Sequence, residues 1–314
     1  MNKLVILVVV LAISLLMLTN STLSLEDEKP IVVATTSVLG SIVHDLAEDR
    51  VVVIVIASPN ICPAHYDIKP SDVAAVSMAK LVFYHGIEPW LSRLIEASGS
   101  KAVLVKVSGP WNTPDNLKSY YERVAKALSE HLGMNVSERL STCLKRIDEV
   151  ASKMKEVATK YKFDRVKVVC MKWQVSLIKW LGFQVIAIYD PPERLSSKDI
   201  VELETKAKEE GAMLIIDNLQ SGVVFGKSLA EKVGAVHIAL TNFPGTAMEL
   251  NNVTAVFLYN VERLRIAVSN YRTLKELSSL RSQLETYRLA VYSLIAIIAF
   301  ETILLVLALR RRRK

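Results

Sequence analysis

The chain has 314 residues, of which 51% are hydrophobic and 23% are charged, which is enough to bury two separate cores. Its net charge of +7 comes mostly from a basic run at the C-terminus, so the rest of the sequence is nearly neutral. No block of basic residues with interleaved aromatics occurs outside that run, which argues against a nucleic-acid partner.

Residues 1–25 contain Lys3, then an almost entirely apolar stretch from Leu4 to Leu18, then small polar residues. This order is typical of a secretory signal peptide. Because no clean A-x-A cleavage site follows the apolar stretch, an uncleaved N-terminal anchor stays open as the alternative.

Residues 31–136 alternate short β-branched runs with amphipathic helical stretches. The runs are "IVVATT", "VVVIVIA", "KLVFYHG" and "KAVLVKVSG". Strands that alternate with helices predict βαβ units and a parallel sheet, so we expect an N-terminal α/β lobe here.

Residues 137–161 predict one long helix, because their apolar residues recur at helical spacing and neither glycine nor proline interrupts them. A helix of this kind would join two lobes as a stiff rod and would restrict how far they can close. A second set of β-branched runs follows in residues 162–262: "RVKVVCM", "FQVIAIYD", "AMLIIDN" and "AVHIALTN". The predicted fold class is therefore α/β, with two doubly wound parallel-sheet lobes joined by a long rigid helix.

Residues 263–290 predict a helical stalk. Apolar residues alternate three and four apart, which is the pattern of a coiled-coil seam: Leu277, Leu280, Leu284, Tyr287, Val291 and Leu294. A stalk that forms a homodimer and a single helix that packs back on the second lobe are both compatible with so short a repeat.

Residues 291–309 supply the ~20 mostly apolar residues needed to cross the hydrocarbon core of a bilayer. The basic tail of residues 310–314 follows at once, and the positive-inside rule keeps such a tail in the cytoplasm. We therefore expect a protein of the cell membrane, with the bulk of the chain on the extracytoplasmic face. Glu301 interrupts the predicted span and would need either a partner helix or a neutral carboxyl group.

Ligands of doubly wound sheets bind beyond the carboxyl ends of the strands, so the residues there are cleft candidates. In the N-terminal lobe these include Thr36, Cys62, His65, His85 and Trp111. In the C-terminal lobe they include Cys170, Met171, Asp217 and Asn242.

Two long stretches, "IVVATTSVLGSIVHDLAED" and "YDIKPSDVAAVSMAKLVFYHGIEPWLSRLI", together with the rod helix, resemble the solute-binding proteins of zinc/manganese ABC importers. The similarity extends from about Ile31 to Val268 and includes "SSKDIVELETKAKEEGAMLIIDN". The resemblance implies a receptor that holds a metal ion between two lobes. Such a receptor hands its cargo to an ABC permease with its ATPase.

The positions of the family's metal ligands are where this chain departs from the pattern. Counted from the matching motifs, they fall on Ala64, Gly109, Met171 and Asn242, and His65 stands one residue after the first of them. The resemblance therefore implies the receptor architecture, with zinc or manganese as the family's cargo. A softer metal is the alternative where sulfur ligands replace imidazole and carboxylate.

Six residues of the cleft are the metal candidates: His65, Cys62, His85, Met171, Cys170 and Asn242. Three more are expected as cleft walls: Trp111, Thr36 and Asp217. The alternatives for the candidates are structural. His65 could cap local amides, His85 could hydrogen-bond behind the ligands, and Met171 could fill the core. Cys62 and Cys170 could instead form a cross-lobe disulfide.

The predicted function is that of a membrane-anchored extracytoplasmic receptor that delivers a metal ion to an ABC importer. The alternative is a family member that binds a non-metal solute, or a stalked surface scaffold or sensor. No Ser-His-Asp arrangement, P-loop or dinucleotide fingerprint occurs in a suitable context, so an enzyme is not expected.

Overall fold

The computed structural model describes residues 29–312. The predicted signal peptide or anchor in residues 1–25 lies outside them, as does the end of the basic tail. The N-terminal lobe has four parallel strands in the order β2-β1-β3-β4. These are β1 (Ile31–Ala34), β2 (Val52–Val55), β3 (Leu81–Tyr84) and β4 (Val103–Lys106). The helices are α1 (Ser37–Ala47), α2 (Pro70–Met78), α3 (Leu91–Ser98) and α4 (Pro114–Leu132).

The helix α5 (Ser137–Lys160) leads into the C-terminal lobe, whose four parallel strands have the order β6-β5-β7-β8. These strands are β5 (Lys167–Met171), β6 (Gln184–Tyr189), β7 (Leu214–Asn218) and β8 (Val236–Leu240). The helices α6 (Val175–Trp180), α7 (Ser197–Glu209) and α8 (Val224–Val233) surround them. The prediction of two parallel-sheet lobes is confirmed, because the β-branched runs supply the buried central strands and the amphipathic stretches supply the helices that cover them.

The rod helix α5 belongs to the cores of both lobes. Its buried face carries Cys143, Ile147, Val150, Met154 and Ala158. These side chains join one continuous hydrophobic cluster that contains residues of β1 as well as β8. Because a well-packed interior resists deformation, the lobes share a common rigid support rather than a flexible hinge.

A partly buried ion pair fixes the same helix to the N-terminal lobe. Asp45 at the end of α1 pairs with Arg146 of α5 and accepts a hydrogen bond from the Tyr121 hydroxyl at 2.5 Å. The Arg139 Nε also donates to the backbone oxygen of Asp45 at 3.1 Å. These contacts join α1, α4 and α5 in one place.

The last helix, α9 (Val253–Arg312), is a single element of 60 residues. At 1.5 Å per residue it is about 90 Å long. One face is buried against β8 and α5 as far as Val268, and from Arg272 onward every described side chain is exposed. The predicted stalk therefore packs on the lobe only at its start and leaves it from Arg272 onward, where no glycine or proline turns the chain back.

The C-terminal part of α9 is long and apolar enough to cross a membrane. An 18-residue window within it has a mean hydropathy of 2.4 and none of that window is buried in the protein. The expected boundaries at 262/263 and 290/291 both fall inside this one helix.

Candidate functional site

His85 follows β3 and lies at the centre of the cleft edge of the N-terminal lobe, with 2% of its surface exposed. Its Nδ1 lies 3.2 Å from the Tyr120 hydroxyl, and that hydroxyl donates to the backbone oxygen of Gly109 at 2.7 Å. The Nδ1–H of His85 is therefore the donor to Tyr120, and Nε2 accepts from the Thr36 hydroxyl at 2.7 Å. Both ring nitrogens are thus occupied by protein groups.

Burial lowers the pKa of His85 to about 4, although the nearby Glu88 carboxylate opposes the shift. Glu88 itself is held by the Thr35 hydroxyl at 2.6 Å and the His85 backbone N–H at 2.9 Å. His85 is therefore a neutral side chain near pH 7.

This environment predicts an acid-sensitive fold. The unfolded chain binds a proton at His85 below its ordinary pKa of 6.5, whereas the folded chain binds one only near pH 4. Stability should therefore fall as the pH drops from about 6.5 to about 4, by at most about 1.4 kcal/mol per pH unit from this group. Guanidinium unfolding at pH 7, 5.5 and 4.5 measures this decline in the free energy of unfolding. His85→Gln should show a shallower decline, and an unchanged pH slope in that variant would contradict the assignment.

Trp111 and Asn112 bridge the two lobes. The Trp111 ring stacks on His85 at 4.4 Å between centroids and contacts the Phe243 ring at 5.6 Å. Its Nε1–H donates to the backbone oxygen of Asn242 at 3.0 Å. The Asn112 Nδ2 donates to the backbone oxygen of Trp173 at 2.9 Å and to Asn242 Oδ1 at 3.3 Å. These contacts bring the predicted residues His85, Trp111 and Asn242 together.

Four carboxamide side chains are joined by hydrogen bonds: Asn112, Gln174, Asn218 and Asn242. Together with Gln220, which bonds to the Thr241 hydroxyl next to Asn242 in sequence, they make up what we term the amide network. Asn242 Nδ2 donates to Asn218 Oδ1 at 3.4 Å, and Gln174 Nε2 donates to the same oxygen at 3.0 Å. Gln220 Nε2 reaches the other lobe at the backbone oxygen of Pro59, 2.9 Å away. Every member is neutral, so the network joins the lobes without presenting charge to a cation.

The two sulfur candidates at the end of β5 are fully buried. Cys170 and Met171 are adjacent in the strand, and their side chains enter different hydrophobic clusters on opposite faces of the sheet. Burial, together with the nearby Asp217 charge, raises the pKa of the Cys170 thiol, so it stays protonated. The Met171 sulfur accepts the Trp173 backbone N–H at 3.4 Å.

His65 and Cys62 lie at the mouth of the cleft. His65 is exposed and its Nε2 is 3.8 Å from Oε1 of Glu193, which follows β6 in the other lobe. Cys62 is partly exposed, and all three cysteines are free thiols, so the Cys62–Cys170 disulfide is not formed. The loop after β2 therefore faces the ends of β6 and β7, through Glu193 and Gln220, rather than Cys170 and Met171.

Two of the expected wall residues lie behind the cleft surface. Thr36 is 1% exposed and serves as the hydroxyl donor to His85. Asp217 is also 1% exposed, inside the C-terminal lobe, where it accepts from the Tyr189 hydroxyl and pairs with His237 Nε2 at 2.7 Å. Trp111, the third expected wall residue, lies between the lobes, where it contacts Phe243 and Asn242.

Among residues 29–312, no three His, Cys, Asp or Glu side chains lie close enough together to hold a metal ion. The six metal candidates are instead divided among the cleft mouth, the cleft edge of the N-terminal lobe, the amide network and the core of the C-terminal lobe. Glu193 and the members of the amide network other than Asn242 were missed from the sequence. Asn218 ends β7 and Glu193 lies shortly after β6, so the rule that identified Asp217 and Asn242 could have included them.

Comparison with known proteins agrees with this architecture. The profile of the ZnuA family, described as "Zinc-uptake complex component A periplasmic", matches residues 32–267. A search of curated proteins found no match.

Solved structures share the fold. The periplasmic zinc-binding protein TroA from Treponema pallidum has a TM-score of 0.67 and 17% identity, covering 76% of this chain and 99% of that one. A structure of ZnuA has a TM-score of 0.62 and 17% identity, covering 77% and 98%. A manganese-bound variant of a periplasmic metal-binding protein from Candidatus Liberibacter asiaticus has a TM-score of 0.68 and 15% identity, covering 76% and 100%.

The family profile covers most of the chain, and both the two-lobed fold and the rod helix agree with it. Membership also makes the chain a non-enzymatic solute-binding protein, as the sequence predicted. The chain therefore belongs to the ZnuA family of periplasmic zinc-uptake components.

Proposed function

We propose that the protein is a membrane-anchored extracytoplasmic receptor that delivers a divalent metal ion to an ABC importer. The observation that carries the proposal is the family match over residues 32–267, which spans both lobes and the rod helix. Its partners would be the permease and the ATPase of that importer.

The anchoring is supported by α9. The helix leaves the C-terminal lobe after Val268 and enters the predicted span at Val291, a distance of about 35 Å at 1.5 Å per residue. With the basic tail in the cytoplasm, the lobes would stand at that height above the outer face of the membrane. A tether of this kind raises the effective concentration of the receptor at its permease.

The mouth of the cleft is where we propose that the metal first binds. His65 and Glu193 offer an imidazole and a carboxylate from opposite lobes, 3.8 Å apart and about half exposed. These are ligand types that zinc accepts, and Cys62 in the same loop could add a thiolate for a softer metal. Zinc and manganese are the first cargoes to test, because the similar structures include a zinc-binding protein and a manganese-bound one.

Metal addition tests the proposal directly. The full chain in detergent should gain about 2.7 kcal/mol of stability at a hundredfold excess of its cargo metal over the dissociation constant. Thermal unfolding with Zn²⁺, Mn²⁺, Fe²⁺, Ni²⁺ and Cu⁺ identifies the metal. His65→Ala and Glu193→Ala should each remove most of the gain. His131→Ala, an exposed histidine at the end of α4, is the matched control and should keep it.

The amide network favours a second candidate function. Its bridging groups are neutral, and two buried carboxamide oxygens, Gln174 Oε1 and Gln220 Oε1, have no hydrogen-bond partner among the described residues. A receptor for an uncharged solute that donates hydrogen bonds, or a stalked scaffold or sensor without cargo, would suit that chemistry. If none of the metals tested stabilises the protein, the first function is rejected and the second remains.

A further inference from the structure

The exposed part of α9 carries an apolar stripe that we term the stalk seam: Leu277, Leu280, Leu284, Tyr287, Val291 and Leu294. These side chains are between 49% and 70% exposed. Their three-and-four spacing places them on one side of the helix, at the a and d positions of successive heptads. A contiguous apolar stripe on an isolated helix is a typical contact surface.

The same spacing continues into the predicted membrane span. The next three positions of the pattern are Ile298, Glu301 and Leu305, so Glu301 occupies a d position on the side of the helix that carries the stalk seam. A carboxyl group in hydrocarbon is costly unless another polar group meets it. A partner that covers the stalk seam would therefore also lie beside Glu301.

The residues that flank the seam indicate which partner fits. Glu276 occupies a g position and Arg281 the following e position, five residues later. In a parallel pair of identical helices these two positions face each other across the interface, so Glu276 of each copy would meet Arg281 of the other. An antiparallel pair would lose this contact, and it would also require the two copies to cross the membrane in opposite directions.

We infer that α9 is the interface of a parallel homodimer, in which the stalk seam and Glu301 of one copy contact their equivalents in a second copy of this chain. Two Glu301 carboxyl groups that share a proton satisfy one another by a hydrogen bond. In a two-fold interface the same surface of each copy contacts the other copy, so that surface must be complementary to itself. The stalk seam meets this requirement, because Glu276 of each copy would pair with Arg281 of the other. The inference rests on the proposed membrane anchoring for the Glu301 contact and for one of the two arguments against an antiparallel pair, and it is independent of the cargo.

Disulfide cross-linking of the full chain in membranes tests the interface. In a Cys62→Ser background, the remaining native cysteines Cys143 and Cys170 are buried. Leu280→Cys and Leu284→Cys on the seam should each give a disulfide-linked dimer. Ser278→Cys and Ser282→Cys, on the outer side of the same helix, are matched controls and should give only background. Equal cross-linking on both sides, or none on the seam, would overturn the inference.

Four further variants, all in the Leu284→Cys background, test the charge pairing and the Glu301 contact. Glu276→Arg should greatly reduce cross-linking, and the added change Arg281→Glu should restore it. Glu301→Leu should reduce it and Glu301→Gln should preserve it, because an amide can still form a hydrogen bond across the interface. Failure of the charge exchange to restore cross-linking would refute the parallel register. Because none of these measurements involves metal, a negative result is distinct from failure of the metal assay.

Discussion

Replacing Trp111 with alanine is expected to destabilise the protein by about 3 kcal/mol, near the low end for loss of a large aromatic side chain. The ring stacks on His85, contacts Phe243 in the other lobe, and donates its N–H to the backbone oxygen of Asn242. The variant loses all three contacts and leaves a cavity between the lobes. Guanidinium unfolding of the full chain in detergent, followed by circular dichroism, measures the change.

Trp173→Ala is the matched control, since it removes the same group from the same cleft. The Trp173 side chain is 41% exposed, and the hydrogen bond from Asn112 that bridges the lobes goes to its backbone oxygen, which the substitution keeps. Its cost should stay within about 1 kcal/mol, as for other exposed substitutions. Equal losses in the two variants would mean that the Trp111 contacts do not hold the lobes together.

Asp217→Ala is expected to lower the free energy of unfolding by about 3 to 5 kcal/mol, the range for removing one partner of a buried charged pair. The carboxylate is 1% exposed and accepts from the Tyr189 hydroxyl while pairing with His237. Without it, two polar side chains of the C-terminal lobe lose their partner. Asp190→Ala provides the control, because Asp190 pairs with Lys172 at the surface and should contribute no more than about 1 kcal/mol.

Gly226 in α8 gives an independent test of the same buried group. A Cβ at this position would lie 2.2 Å from Asp217 Oδ2, so Gly226→Ala would displace the carboxylate from its partners. The substitution should be strongly destabilising alone but nearly neutral in the Asp217→Ala background, where the space is free. Additive losses in the double variant would show that the glycine is needed for another reason.

Part of the candidate site was predictable because strand order alone decides which loops meet. The rule that ligands bind beyond the carboxyl ends of strands selected His85, Trp111 and Asn242, and these three lie in contact. The rule does not say which side chain points outward. Cys170 and Met171 end the same strand, yet both are buried, because consecutive side chains of a strand enter opposite faces of the sheet.

The loop that carries Cys62 and His65 shows a second limit. Three prolines and the absence of any periodicity leave its path to be set by the lobes on either side. The contact between His65 and Glu193 joins residues more than a hundred positions apart, and no local sequence pattern predicts such a contact.

Local periodicity by itself determined the two α/β lobes, the uninterrupted rod helix and the apolar C-terminal helix. The reason is that the hydrophobic spacing of helices and strands depends only on residues that are close in sequence. Only the tertiary structure decided the character of the cleft. There, neutral carboxamides from distant strands satisfy one another, His85 is enclosed by Thr36 and Tyr120, and the cysteine thiols stay apart. The physical reason is that hydrogen-bond partners and burial depend on which segments fold against each other, and those distances appear only in three dimensions.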